Sequence, residues 1–418
     1  MQSLHCAGRQ AAQRSANEEA IGHLGRALEQ LAALPDTPER SRHELALQLS
    51  LGPNLIAVRG HAASEVEQTY RRALALQRQV GSTANLSFIL AGLRNHYLVR
   101  AEHETAGELG RQMLRLAERE QDRGFLLEAH CALGSVLFFL GRLRDAYAQL
   151  AQALQLYDAR LHSQHAILYG LKPGVWSRYL MAMALELMGD SRKAQRLMSE
   201  AIEMARQRGH LFSLAATLCF AAERHRLRRE GDQAQACAEA AIDLARENNF
   251  VIWLLYGKVL SGWAMAEQTA GREGIERIRE GLTVFHRTET RLFHSHFLTL
   301  EADALGKAGL IDEALTQLAE AEQVLARQQE PVFEAELFAL KAELLTRRTS
   351  LAQRQPDAVE DIEASLRRSI ATARRQGARL LELRATLALV DCLQQQGPRR
   401  RSPPASLPHL RPFPGRRR

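Results

Sequence analysis

Four segments of the chain repeat one another, and this repetition limits the fold more than any other feature. They read GRLRDAYAQLAQALQL (141–156), GDSRKAQRLMSEAIEMA (189–205), GDQAQACAEAAIDLA (231–245) and GLIDEALTQLAEAEQVL (309–325). The clearest copy places apolar or small residues at Ala314, Leu318, Ala321 and Val324 after Gly309. Steps of three and four keep one face of a helix apolar. The glycine falls where the preceding helix must stop and the chain must turn. Gly231 fits only with a two-residue deletion, and Gly271 opens a weaker copy. Internal repetition at this period predicts stacked helix pairs.

The Gly-to-Gly spacings of 48, 42, 40 and 38 residues exceed the 34 of a plain tetratricopeptide repeat. The reading is therefore all-α, a tetratricopeptide-like superhelix with somewhat longer helices or loops. Helix pairs are expected at 2–14/16–33, 39–58/62–80, 82–100/102–121, 124–140/143–160, 174–189/190–208, 210–230/231–247, 249–270/271–287, 290–309/311–328 and 332–348/357–376. A helix at 380–396 has an apolar face and no following partner. Of twelve prolines, only Pro53 falls inside an expected helix, where a kink is expected.

Charge separates the array from its end. The formal net charge is +7, and the stretch Pro398–Arg418 holds seven Arg and no acid. Residues 1–397 are therefore formally neutral, which argues against phosphate-driven nucleic-acid binding by the array. The expected organisation is a repeat array over 1–397 and a disordered Pro- and Arg-rich tail over 398–418. Cys6, Cys131, Cys219, Cys237 and Cys392 are odd in number and scattered, as expected of reduced cytoplasmic thiols. The first twenty residues lack the apolar core of a signal peptide, and no membrane span is expected.

From residue 13 to 397 the chain resembles the C-terminal repeat region of large bacterial signalling ATPases, often fused to adenylate or guanylate cyclase domains. The residues carrying the resemblance are QRSANEEAIGHLGRALEQL (13–31), LPDTPERSRHELALQLSLGPNLIAVRG (34–60), VEQTYRRALAL (66–76), LLEAHCALGSVLFFLG (126–141), EGIERIREGL (273–282), FEAELFALKAELL (333–345) and ARRQGARLLELRATLALVDCLQQQG (373–397). These repeats are similar to the sensor arm of maltose-regulator-type activators. The resemblance implies a regulatory arm and transfers no activity. The start within the repeat region and the change of composition after Gly397 are read as marks of a fragment or a degenerate copy.

No catalytic, cofactor-binding or metal-binding residue is expected. Gly257–Lys258 and Gly306–Lys307 are followed by Val259 and Ala308, so neither completes a phosphate loop. His162/His165 and His294/His296 lack the spacing and third ligand of a helical zinc site. His43 and His103, each followed by Glu, have no second His in place. The stretch 165–176 is a binding loop or, as preferred, a longer connector. Trp176, Tyr179, Phe212, Phe220, Trp253, Tyr256, Trp263, Phe293 and Phe297 are read mainly as packing residues, with a ligand groove as the other reading.

The expected function is a non-catalytic protein-interaction or ligand-sensing module, taking a protein or small molecule in the superhelix groove. Self-association through the C-terminal helix is also expected. The alternative is one part of a nucleotide-dependent signalling ATPase, adenylate cyclase or transcriptional regulator whose catalytic domains lie elsewhere.

Overall fold

The computed structural model describes residues 2–14, 16–81, 83, 85–158, 172–207, 209–349 and 356–395. The tail expected after 397, the connector up to 171, and His162 and His165 lie outside these residues. Among the described residues there are nineteen α-helices and no strand.

The helices form nine antiparallel pairs and one further helix. They are α1 (Gln2–Gln13) and α2 (Asn17–Ala32), α3 (Pro38–Arg59) and α4 (Ser64–Val80), α5 (Leu86–Val99) and α6 (His103–Glu120). Next come α7 (Arg123–Phe139) and α8 (Leu143–Leu156), α9 (Pro173–Met188) and α10 (Ser191–Gln207), α11 (Leu211–Leu227) and α12 (Gly231–Glu247). The last pairs are α13 (Val251–Thr269) with α14 (Arg272–His286), α15 (His294–Lys307) with α16 (Ile311–Gln328), and α17 (Glu334–Arg348) with α18 (Pro356–Gln376). Helix α19 (Arg379–Gln395) ends the described chain. Helix α3 continues through Pro53, and the Asn54 side-chain amide donates to the Ser50 carbonyl at 2.7 Å.

Most of these pairs turn through one left-handed residue. These are Ala101 (φ 58°), Gly141 (69°), Gly189 (91°), Arg229 (60°), Ala270 (50°) and Gly309 (80°). Five residues beyond five of them stands a fully buried alanine: Ala106, Ala146, Ala194, Ala234 and Ala314. The deletion assumed at Gly231 is therefore unnecessary, because Arg229 occupies the glycine's place. A β-carbon in this conformation costs roughly 1–2 kcal/mol, which the hydrogen bonds closing the turn offset. The Glu230 amide here donates to the His225 carbonyl at 3.0 Å. Counted from the left-handed residue, the period is 40, 48, 40, 41 and 39.

The small residues let the second helix of a pair lie close to the first. The closest approach is Gly262 of α13 against Gly274 of α14, where a β-carbon on either would lie 2.5 Å from the other's carbonyl oxygen. Second helices such as α10 and α16 bury one stripe, while first helices such as α9 and α15 are buried on nearly every side. First helices therefore form an inner layer and second helices an outer one.

The inner layer is covered from within by the next coil. The amides of Arg291 and Leu292 donate to the Val99 carbonyl at 2.8 and 3.0 Å. Arg100 pairs with Glu289 at 2.7 Å, and the Phe139 and Phe293 rings meet edge to face at 5.3 Å. Helix α19 touches α9. Pair three thus meets pair eight, and pair five meets α19, so about five pairs complete a coil.

Candidate functional site

The C-terminal part of α11 carries charge into the inner layer. Glu223, Arg224 and Arg226 are all buried, and a buried charge must be paired. Arg224 donates to Glu186 of α9 at 2.9 Å. Arg226 donates to Glu223 at 2.7 Å and, through both terminal nitrogens, to Glu336 of α17 at 2.6 and 2.7 Å. His296 lies 3.2 Å from Glu223. Burial pushes the Glu223 carboxyl up, but Arg226 and His296 together outweigh it and hold it at about 2. Burial also opposes ionisation of Arg226, and Glu223 and Glu336 raise its pKa well above the ordinary value.

A second knot lies beside the first. Asp303 accepts from the Trp263 indole at 2.6 Å and from Lys307 at 2.8 Å, and Arg229 reaches it at 3.4 Å. Lys307 also pairs with Glu267 and stands 4.6 Å from the centre of the Trp263 ring. Burial raises the Asp303 pKa, while Lys307 and Arg229 prevail and lower it.

These knots form one end of a cavity of about 520 Å³ between the end of α11 and helices α15, α17, α18 and α19. Its apolar walls include Ala339, Leu340, Leu366, Leu381 and Ala385. Most of its charged groups are already paired: Arg226 with Glu336, Arg229 with Asp303, and Arg347 with Glu343. Arg384 differs. It donates to the Leu227 carbonyl at 2.5 Å and has no carboxylate within ion-pair distance among the described residues. Burial lowers its pKa, and Arg229 and Arg226 add to this against the pull of Glu336. Asp391, two turns further along α19, also lines the cavity without an ion-pair partner among the described residues.

The structure places the residues singled out in the sequence as follows. Trp176, Tyr179, Phe220, Trp253, Tyr256, Trp263, Phe293 and Phe297 are buried, and Phe212 is half-buried. Phe220 stacks on Tyr179 at 4.6 Å, and Phe293 meets Tyr256 at 4.7 Å. The aromatics fill the middle of the superhelix and do not line an open groove there. Gly257–Lys258 lies within α13 and Gly306–Lys307 within α15. His296 stacks on Phe333 at 3.9 Å, while His294 packs against Phe285 at 4.8 Å on another side of α15. His103 lies 3.6 Å from Glu330, and His43 lies 3.8 Å from Glu39. No group of three metal-binding side chains occurs among the described residues. No described helix is long and apolar enough to cross a membrane.

Sequence reasoning passed over Arg226 and Arg384. The signal was present in ERHRLRRE (223–230), a charged run that continues a helix otherwise apolar on every side.

The fold is thus a tetratricopeptide-like superhelix, with a charged cavity between the end of α11 and helices α15 and α17–α19. No family model matches the chain. It is 25% identical over 387 residues to an uncharacterized protein of Rhizobium meliloti (strain 1021), an alignment covering 91% of this chain and 36% of that protein. The chain therefore spans little more than a third of that relative's length. Among solved structures it is similar to a Rap protein complexed with Competence and Sporulation Factor. The TM-score is 0.59 at 13% identity, over 93% of this chain and 98% of that one. It is also similar to a Signal Transduction ATPase with Numerous Domains from Pyrococcus horikoshii that has a tetratricopeptide repeat sensor. There the TM-score is 0.48 at 13% identity, over 85% of this chain and 54% of the other. At 13% identity the likeness to the Rap structure is one of fold.

Proposed function

We propose that the chain is a non-catalytic, ligand-sensing interaction module, the regulatory arm of a bacterial cytoplasmic signalling protein. The observation that carries this reading is the cavity. Its lining comes from Arg226 at the end of α11, Glu336 on α17 and Arg384 on α19, so an occupant touches units that lie three and four pairs apart along the array. A ligand binding one arrangement of the coils better than another shifts the population between them. In this reading residues 1–397 act as one array, and 398–418 form a separate tail.

A second reading is favoured by the 36% coverage of the Rhizobium meliloti relative. Here the chain works as part of a longer nucleotide-dependent signalling ATPase, cyclase or transcriptional regulator, and any chemistry resides outside it.

The test is a thermal-shift screen of small metabolites and short peptides against the chain and against Ala388→Trp. Ala388 lines the cavity yet is exposed, so the indole can fill the space without displacing the core. Compounds that stabilise the wild type and leave the variant unmoved support the reading. Stabilisers acting equally on both proteins would sink it.

A further inference from the structure

The charges lining the cavity define its occupant more narrowly. Once Arg226, Arg229 and Arg347 are matched with their acids, one cation and one anion remain without an ion-pair partner among the described residues. These are Arg384 and Asp391, both on α19 and both facing the same space. They are seven residues apart, which is about 10.5 Å along a helix. Arg384 reaches back to the Leu227 carbonyl at the inner end, while Asp391 is exposed at the mouth. The apolar wall between them includes Ala385 and Ala388, and Leu381 lies one turn beyond Arg384.

The geometry points to a short zwitterionic peptide of about three residues, its free carboxylate on Arg384 and its free ammonium on Asp391. This rests on the cavity reading above. An extended chain advances about 3.3–3.6 Å per residue, so three residues span the gap between the two charges. The small wall residues leave room for aliphatic side chains. Thr299 and Thr346 already donate to the Ser295 and Ala342 carbonyls at 2.8 Å, and their free lone pairs can accept from peptide N–H groups. Glu336, Glu343 and Asp303 also border the cavity. A dianion such as a phosphate monoester would meet these acids, whereas a carboxylate needs only the single spare guanidinium.

The experiment is calorimetric titration of the full chain with trialanine, Ala-Leu-Ala and Leu-Ala-Leu. Each is used free, N-acetylated and C-amidated. At least one free tripeptide is expected to bind saturably. Amidation should weaken it about tenfold or more, because a hydrogen-bonded charge is lost. N-acetylation should weaken it about threefold at the more exposed end. Arg384→Gln, with unchanged helicity, should remove the preference for a free carboxylate, and Arg384→Lys should retain part of it. Asp391→Asn should remove the preference for a free amine.

The proposal is overturned if no tripeptide binds saturably, or if capped and free peptides bind alike. Ala388→Trp separates the two levels of inference. If it abolishes binding while caps and Arg384→Gln change nothing, the cavity stands and the reading of peptide ends fails. If the peptides bind Ala388→Trp as they bind wild type, the cavity reading itself fails.

Discussion

Arg226 grips the Glu336 carboxylate with both terminal nitrogens, at 2.6 and 2.7 Å, across 110 residues of chain. The same guanidinium holds Glu223, so one cation is shared by two acids from different helices, the buried Glu223 and the half-buried Glu336. Removing it leaves two carboxylates facing each other, with Glu223 fully buried. Arg226→Met should destabilise the chain by about 3–5 kcal/mol, read as a lower midpoint in urea. A loss below about 1 kcal/mol would mean that water reaches the pair.

Acid should act through two sets of groups. The ordinary carboxyl value for Glu223 is 4.5, and the folded value is about 2. A depressed carboxyl contributes stability above the unfolded value and loses it as pH falls through the folded one. This limb therefore lies between about pH 4.5 and 2, and Glu223→Gln should flatten it. His61 and His294 are both lowered from 6.5 to about 4. Burial is the larger cause for each, followed by Arg94 for His61 and by His286 for His294. Their neutral forms favour the fold fully above pH 6.5, and the unfolded chain gains protons first as pH drops. Stability should fall by about 2 kcal/mol at His61 by pH 5, and by less than that at the half-buried His294. A flat profile from pH 7 to 5 in urea titrations would contradict this.

Two glycine-to-alanine changes should act in opposite directions. Gly262→Ala puts a methyl 2.5 Å from the Gly274 carbonyl and should cost about 2 kcal/mol or more, as overpacking does. Gly22, on the outer face of α2, is open: a β-carbon there would meet nothing within 4 Å. Gly22→Ala should raise stability by about 0.5–1 kcal/mol. Chemical denaturation of the two variants checks both signs.

Leu383, Leu387, Val390 and Leu393 form an exposed stripe along α19. Contiguous apolar surface of this kind promotes association. Sedimentation velocity should show a concentration-dependent rise in mass. Leu387→Glu should weaken that association about tenfold or more while leaving helicity intact. A wild-type chain that stays monomeric at all concentrations would count against a sticky stripe.

Much of the architecture was legible in the sequence. The nine pairs match the structure to within a few residues, because the stripes of α16 (Ala314, Leu318, Ala321) obey the helical period and prolines mark the joints. The turns were read less well. Gly231 and Gly271 lie outside the left-handed region, and the left-handed turns belong to Arg229 and Ala270. Glycine permits that conformation but is not required for it. The cavity was not legible at all. It depends on α11 meeting α17 and α19, and contacts between units far apart in the chain leave no periodic mark in a sequence. Arg384 was passed over because only the folded array brings it to the Leu227 carbonyl.

The bond between Val99 and the Arg291–Leu292 amides works like a tooth in a gear. In an open array a unit can be gained or lost, and the ends merely move closer or farther apart. Here the loss of one unit of about forty residues between Val99 and Arg291 would advance the second coil by about a fifth of a turn. Val99 would then face the wrong loop, and if the lost unit lay after Arg226, Arg226 would lose its place opposite Glu336. Copy number is thus phase-locked: this architecture tolerates substitution within its units far better than a change in how many there are.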